Sequence, residues 1–514
     1  MTKIMIRKLK RWEAFVITLI VINVFLSTWW LINGDIHYDV DIARDFLVLK
    51  EIIDTGKLTL IGPHSGIVGG LFHGPLWYYI NLPAFFITQG DPVLMGWFWW
   101  GLSIITLLIF WFVTKKLFNS TIALLATLLY SANSIINPTI GLKQFYNPYG
   151  AVVLSPVFFY FFIKYLETKK ALHLLISILI LGCIIQFQMA FGIPVLIMTT
   201  LFLIYFLFSK KLLKHLLILP IIPIPLSTYI IFELKHEFLQ TKSVITFITS
   251  QHPKVTTNFS LFLYEKIFSL TTDTFFAFTQ DSRLLSCVTF LLFVLLTFKV
   301  VKGNLKKIYL LFLYFYFGFW AMFLLFNISW TTYYWPFLPV IIILYTAFYN
   351  YLPKKIFFLI FVLLLAWNYF IAAGYIKNFN LDVTKRSVNS WAFNKYVAES
   401  VYKEADQDFG YYIYTPYLWV YNQWYALSFV QREYRHVTAY PFTKQRLTFL
   451  VFVDVNSGLF NTDSNGWKVT HIKINKEPES IKTIDVIDIQ KYRLTDEEIK
   501  IPANPYLLNS TFFR

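Results

Sequence analysis

MTKIMIRKLKRWEAFVITLIVINVFLSTWWLINGDIHYDVDIARD, residues 1–45, sets three features in a row. Five basic residues come first: Lys3, Arg7, Lys8, Lys10 and Arg11. An apolar run over 14–32 follows, close to the roughly 20 residues that cross a bilayer as a helix. Asp39, Asp41, Arg44 and Asp45 then cluster directly behind it. A basic flank marks the cytoplasmic side of a span. The acids therefore emerge on the opposite side. The run has no small-residue cleavage site and reads as an anchor, not as a cleaved signal peptide.

Working outward, the same pattern repeats along the chain. Of 514 residues, 57% are hydrophobic and 14% charged, against about 45–50% and about 25% in an ordinary soluble domain. Ten more apolar runs of spanning length follow, at 93–113, 120–136, 149–166, 171–188, 190–208, 212–232, 283–300, 306–326, 333–350 and 354–374. With the N-terminus in the cytoplasm, every second loop should be basic. They are: Lys115 and Lys116; Lys169 and Lys170; Lys210, Lys211 and Lys214; Lys299, Lys302, Lys306 and Lys307; Lys354 and Lys355. The further apolar stretch 75–88 would reverse every later loop if it crossed, so it reads as an interfacial or re-entrant helix.

This count predicts an all-α polytopic membrane domain over residues 1–382. Long loops at 33–92 and 233–282 lie outside the cytoplasm. Residues 383–514 are polar enough to fold in water and read as a small extracytoplasmic α+β domain. They open on the helical pattern SVNSWAFNKYVAESVYKEA and continue with the strand-like runs LTFLVFVDV and WKVTHIKI. The expected setting is the plasma (cytoplasmic) membrane, with the lipid bilayer as a constant partner.

The net charge of +16 is uneven. Residues 383–514 hold 16 basic and 14 acidic residues, so nearly all of the surplus belongs to the membrane part. That is the pattern of positive-inside loops, not of a nucleic-acid-binding face. Cys183 and Cys287 lie in apolar runs and give neither a disulfide framework nor metal spacing. His64 and His73, nine residues apart on a loop, are not spaced as a metal pair. No cofactor motif and no metal-ligand set is identified.

The first long loop carries the most chemistry. DIARDFLVLKEII is apolar at helical spacing, with Ile42, Phe46, Leu49 and Ile53 on one face, and reads as a helix lying on the membrane surface. Gly62-Pro63 and Gly74-Pro75 give the rest of the loop shape.

In these residues the chain resembles membrane glycosyltransferases of the GT-C class. It is most similar to the family 39-like group that includes protein O-mannosyltransferases and the lipid A aminoarabinose transferase. The resemblance rests on the Asp-x-x-Arg-Asp set (Asp41, Arg44, Asp45), on Ile61-Gly62-Pro63, and on His73-Gly74-Pro75-Leu76 with Tyr78 and Tyr79. Downstream it takes in Phe145-Tyr146-Asn147-Pro148, Gln186-Phe187-Gln188, Phe232-Glu233-Leu234-Lys235-His236 and the aromatic stretch from Trp330 through Tyr333 to Pro336. Gln188 stands where the family pattern has His. The resemblance covers about residues 14–380.

It implies transfer of a sugar from a polyprenyl-phosphate donor to a lipid, glycan or protein acceptor outside the cytoplasm, with inversion. Family members differ in their need for a divalent metal. An inverting transfer needs a carboxylate to take the acceptor's proton and cations to steady the leaving phosphate. The resemblance puts Asp41 forward as that base, with Asp39 as the alternative. Arg44 can orient the acid or meet phosphate bidentately. Substrate-binding candidates are Asp45, His73, Tyr146, Asn147, Gln186, Gln188, Glu233, Lys235, His236 and Tyr333, with Lys235 and His236 for the phosphate. Plainer readings stand beside these: Asn-Pro is a good helix start, and intramembrane glutamines can simply join helices.

Two other functions compete. A transporter or flippase for lipid-linked saccharides would keep charges at the bilayer midplane and often shows inverted repeats. Here the charges gather at span ends and no repeat is found. A polysaccharide polymerase would also use lipid-linked sugars, but acids directly behind the first span favour the transferase.

Overall fold

Helices in this chain form for two different reasons. Some are apolar all round; others have one apolar stripe and a polar cap. The computed structural model describes residues 10–65, 69–135, 145–249, 282–300, 306–326, 331–415, 420–453 and 464–504, with isolated positions between 260 and 279. Residues 137–144 of the loop 137–148, most of 250–281 in the expected loop 233–282, Trp330 and the basic residues Lys3, Arg7, Lys8 and Lys302 lie outside them. The chain divides into two compact units. The first comprises Met1–Trp29, Thr59–Tyr79 and Trp99–Lys377, the second Trp30–Leu58, Ile80–Phe98 and Asn378–Arg514. The second therefore begins its C-terminal part near the expected boundary at 383 and also takes in two stretches of the first loop.

In chain order the described α-helices of nine or more residues are α1 (Arg11–Leu26), α2 (Val40–Thr55), α3 (Leu76–Ile87), α4 (Pro92–Leu117), α5 (Ser120–Asn133), α6 (Pro148–Thr168), α7 (Ala171–Phe187), α8 (Met189–Lys210), α9 (Ser227–Lys235), α10 (Leu239–Thr249), α11 (Arg283–Val300), α12 (Lys306–Phe326), α13 (Leu338–Ala347), α14 (Lys354–Lys377), α15 (Trp391–Glu404) and α16 (Tyr421–Val430).

Among the described residues five helices, α4, α6, α8, α11 and α14, are long and apolar enough to cross a membrane. They match five of the eleven expected runs, and α5, α7, the stretch Lys307–Met322 within α12 and the stretch Trp335–Asn350 are shorter apolar helical segments at four more. The first expected run, 14–32, holds α1, which ends at Leu26, and a separate helical turn over Trp29–Ile32. The run 212–232 is not one helix. It is a 3₁₀ stretch over Leu213–Ile221, a turn, and then α9. Pro220, Pro223 and Pro225 explain the break, because each removes a backbone donor and crowds the preceding turn.

Aromatic packing fills the first unit. Phe158, Phe159 and Phe162 of α6 meet Phe315 of α12, and Phe191 meets Phe319 and Phe337. Some buried polar groups are paired between helices. Asn23 of α1 hydrogen-bonds Ser131 of α5 at 2.9 Å, and Asn133 donates to Asn368 of α14 at 2.9 Å. In an apolar bundle such contacts set register, because slippage would strand an amide.

In the second unit, Asp39 caps α2 by accepting from the Ile42 N–H at 3.0 Å, and Gly56 ends it at φ 66°. Glycine adopts that left-handed conformation without steric penalty. Ile42, Phe46 and Leu49 are buried, but α2 does not spend this face on lipid. It packs on α16, with Phe46 between Phe85 and Tyr425 at ring separations of 5.6 and 5.2 Å. Ile53, the fourth expected face residue, is exposed.

The expected C-terminal helix is α15, capped by Ser390. It accompanies a five-stranded mixed sheet of β1 (Phe409–Tyr414), β2 (Ala439–Pro441), β3 (Leu447–Val453), β4 (Ser480–Ile484) and β5 (Ile487–Arg493), in the order β2-β1-β3-β5-β4. β1 is parallel to β2 and β3, and β5 is antiparallel to β3 and β4. LTFLVFV is thus a strand as expected. WKVTHIKI is not: Ser464–Ile472 is helical, which buries Lys468 and Ile472 four residues apart and leaves Val469 exposed.

Candidate active site

Within the second unit the acids occupy the first turns of α2, and each has a different environment. Asp39, the cap, is 9% exposed. Burial, and then the Asp41 charge beside it, push its carboxyl up to about 7. The Asp41 side chain is 38% exposed and forms an ion pair with Arg44. Arg44 turns its other edge to Asp45, with Nε and Nη2 at 3.1 and 2.8 Å from one carboxylate oxygen. Asp45 is buried. One guanidinium thus holds Asp41 and Asp45 together, which leaves Asp41 as the accessible carboxylate.

Sequence reasoning missed three residues around this helix. Asp35 is fully buried and accepts from the Ile36 N–H, Arg386 Nη1 (3.0 Å), Ser390 Oγ (2.5 Å) and the Ala392 N–H (2.9 Å). Burial raises its carboxyl above the usual range, while the hydrogen bonds and Arg386 pull it down. The Arg386 guanidinium also lies over Phe379, 4.5 Å from the ring centre. Tyr421 at the start of α16 has its hydroxyl raised to about 12 by burial, with Arg44 lowering and Asp41 raising it. The only signals in the sequence were an acid before an apolar turn and an Arg some 350 residues later. Nothing local joins them. Residues 35–38 are fastened to this stretch by the backbone too, since the Tyr38 N–H donates to the Asn389 carbonyl at 2.7 Å.

The Asp39 environment gives a testable pH dependence. A carboxyl with a raised folded pKa favours the folded state while protonated. That contribution is complete below about pH 4, the ordinary carboxylate value, and is lost as pH rises through about 7. Asparagine caps a helix as well as aspartate does and does not ionise. The melting temperature of Asp39→Asn relative to the parent should therefore climb from pH 4 to 7 and level off above. Thermal unfolding across that range checks it, and an advantage that grows toward acid would contradict it.

The other candidates belong to the first unit, where loop 59–79 meets the α7–α8 turn and the start of α9. The Gly74 N–H donates to the Gln186 carbonyl at 2.9 Å, and the Gly62 N–H to the His73 carbonyl at 2.7 Å. A Cβ on Gly74 would fall 1.6 Å from Gln186 Oε1, and one on Gly62 would fall 2.2 Å from the Gly74 carbonyl. Only glycine permits this layering. His73 is buried, with its Nδ1 3.5 Å from the Met189 N–H. Asn147 donates to the Phe187 carbonyl at 2.7 Å. Gln186 donates to the Pro225 carbonyl (2.7 Å) and to Thr228 (2.9 Å). Gln188 is buried beside it in sequence. His73, Asn147, Gln186 and Gln188 thus gather around one helix turn.

Glu233 has a structural task. Its carboxylate accepts from the N–H groups of Gln240 and Thr241, at 2.9 and 3.1 Å, and from the Thr241 hydroxyl, which caps α10. Lys235 and His236 are exposed, and the His236 ring stacks on Phe232 at 4.1 Å. Tyr146 sits edge-on to Trp335 at 6.0 Å, and Tyr333 is half-buried in the 3₁₀ turn Thr331–Tyr333. Among the described residues no group of three or more His, Cys, Asp or Glu side chains could hold a metal ion.

No family model and no curated protein matches the chain. Solved structures do. ArnT from Cupriavidus metallidurans bound to undecaprenyl phosphate superposes with a TM-score of 0.56 at 10% identity, covering 94% of this chain and 99% of that one. The same protein in the apo state gives 0.55 at 9% identity, covering 94% and 98%. The chain shares the fold of ArnT nearly end to end. The fold agrees with the expectation of a mostly helical, multi-pass membrane architecture with a small C-terminal sheet.

Proposed function

We propose that this chain is an integral membrane glycosyltransferase that moves a sugar from a polyprenyl-phosphate carrier to an acceptor on the extracytoplasmic side, with inversion. The observation that carries the reading is the acidic first turn of α2, with Asp41 held by Arg44, in a fold shared nearly end to end with a structure bound to undecaprenyl phosphate. The acceptor hydroxyl oxygen attacks the anomeric carbon and the bond from that carbon to the phosphate oxygen breaks. The hydroxyl proton passes to Asp41, and the carrier leaves as its phosphate. Asp41 suits the base because it is the exposed carboxylate of the set. Asp39 beside it is nearly buried and serves as the helix cap. Lys235 and His236 are exposed cations or donors for the leaving phosphate, and His73, Tyr146, Asn147, Gln188 and Tyr333 are candidates for the sugar. Mass spectrometry of the purified protein should find a co-purifying polyprenyl-phosphate sugar. Material that carries no such lipid, and transfers nothing when one is added, would remove the reading.

The sidedness is part of the proposal. With the N-terminus cytoplasmic and residues 383–514 outside, reporter fusions at Lys116, Lys170 and Lys355 should read cytoplasmic. A fusion after residue 383 should not. A cytoplasmic signal there would place the sheet, and α2 in the same compact unit, on the wrong side for a lipid-linked donor presented outside.

A further inference from the structure

The second unit contains a cavity of about 410 Å³ that none of the residues assigned to proton or phosphate transfer lines. It lies among the last turns of α2, the end of α3 and the end of α16, all within that unit. Its size falls in the range of about 300–1,000 Å³ typical of small-molecule sites.

The lining chooses among ligands. The walls are aromatic: Phe85, Tyr425 and Phe429 are buried, while Phe86 is 67% exposed at the rim. Phe86 is thus the ring with a free flat face for the C–H side of a sugar, and the buried rings close the wall behind it. The polar groups sit between them. The Arg432 guanidinium lies 3.5 Å from the Phe429 ring centre and donates to the Gln89 carbonyl at 2.7 Å, so its plane is fixed. The Gln89 side chain is exposed, and among the described residues its amide and the Ser428 hydroxyl have no protein hydrogen-bond partner. Lys50 and Asp54 pair across one turn of α2 at the mouth.

A phosphate group would want several unpaired cations, but here Lys50 is matched by Asp54, and Arg432 has one N–H on the Gln89 carbonyl and its face against Phe429, so only its remaining N–H groups are left. A hydrocarbon tail would strip water from an amide, a hydroxyl and an ion pair without replacing their hydrogen bonds, which is costly. A saccharide has an apolar face for the exposed Phe86 ring and hydroxyls for the amide, the serine and the charges.

We propose that the cavity between α2, α3 and α16 is a saccharide-binding site, sized for one or two sugar rings. It rests on no part of the transferase reading, so each can fail without the other.

The test uses the full-length protein in phosphatidylcholine nanodiscs and saturation-transfer difference NMR. The probes are maltose, N,N′-diacetylchitobiose and a glucuronic-acid-containing disaccharide at millimolar concentration. At least one should receive magnetisation through its ring C–H protons. Phe86→Ala removes an exposed ring. Gln89→Gly removes the amide at a position whose φ of 52° glycine accepts. Each should weaken binding roughly tenfold without changing the circular dichroism spectrum. No signal from any probe overturns the proposal, as do signals of equal strength in both variants, which would place the sugar elsewhere. A parallel titration with phosphatidylglycerol vesicles covers the rival ligand. Vesicle binding lost in the same variants, with no saccharide signal, makes the cavity a lipid-headgroup site instead.

Discussion

Asp41→Asn lowers sugar transfer by roughly 10²–10⁴-fold, the usual consequence of losing a positioned base, while expression, folding and donor binding survive. Asparagine has nearly the shape of aspartate, and the position is already 38% exposed, so the substitution changes proton affinity far more than packing. Arg44 keeps Asp45 as a partner and its orientation is retained. Asp39→Asn preserves the helix cap and should reduce transfer less. Asp45→Asn should also be milder, because Asp45 is buried behind the guanidinium. The assay is transfer from a polyprenyl-phosphate sugar in liposomes, normalised to protein. Loss in Asp39→Asn with retention in Asp41→Asn would reassign the base within the turn. Full activity in both would exclude the two acids as the base and move that role to another residue.

Arg386→Ala should be the most damaging substitution for stability. It leaves Asp35 at 0% exposure without its cation. Removing one partner of a buried pair costs about 3–5 kcal/mol. Ser390 and two backbone N–H groups still face the carboxylate, which puts the expected loss at the lower end of that range. The double variant Asp35→Asn/Arg386→Met removes both charges and should recover much of the loss. That non-additivity is the signature of direct coupling. Thermal unfolding in detergent of the parent, the single and the double variants measures it. Equal melting temperatures for parent and Arg386→Ala would show that the pair contributes nothing.

What could be read from the sequence followed local physics. The apolar runs and basic loops located most helices, because a span must satisfy its backbone internally and its length is set by the bilayer. The stripe Ile42, Phe46 and Leu49 located α2. Its destination was misread: an amphipathic pattern states that a face is covered, not by what, and the cover is α16 and not lipid. The prolines at 220, 223 and 225 were visible and should have divided the run 212–232. The helix over 464–472 was missed because WKVTHIKI alternates well enough for a strand, and only the surrounding core selects Lys468 and Ile472. Among the candidate site residues, Glu233 shows the same difficulty. An acid a few residues before a helix is as apt for capping as for substrate, and capping is what its carboxylate does. Asp35 was overlooked because its partners sit in a stretch with which it shares no local pattern.

That separation has a consequence for the order in which the molecule comes into being. Asp35 and Arg386 are 351 residues apart, and α2 lies in the same compact unit as α15, α16 and the sheet. At about 5–20 residues per second of synthesis, the acids of α2 wait roughly 20–70 s for their anchoring residues to leave the ribosome. In that interval the membrane helices between them are inserted while the acidic turn lacks the scaffold that orients it. The scaffold of α2 is therefore completed late in biosynthesis, and a prematurely terminated chain would carry its full set of candidate acids without the residues that hold them in place.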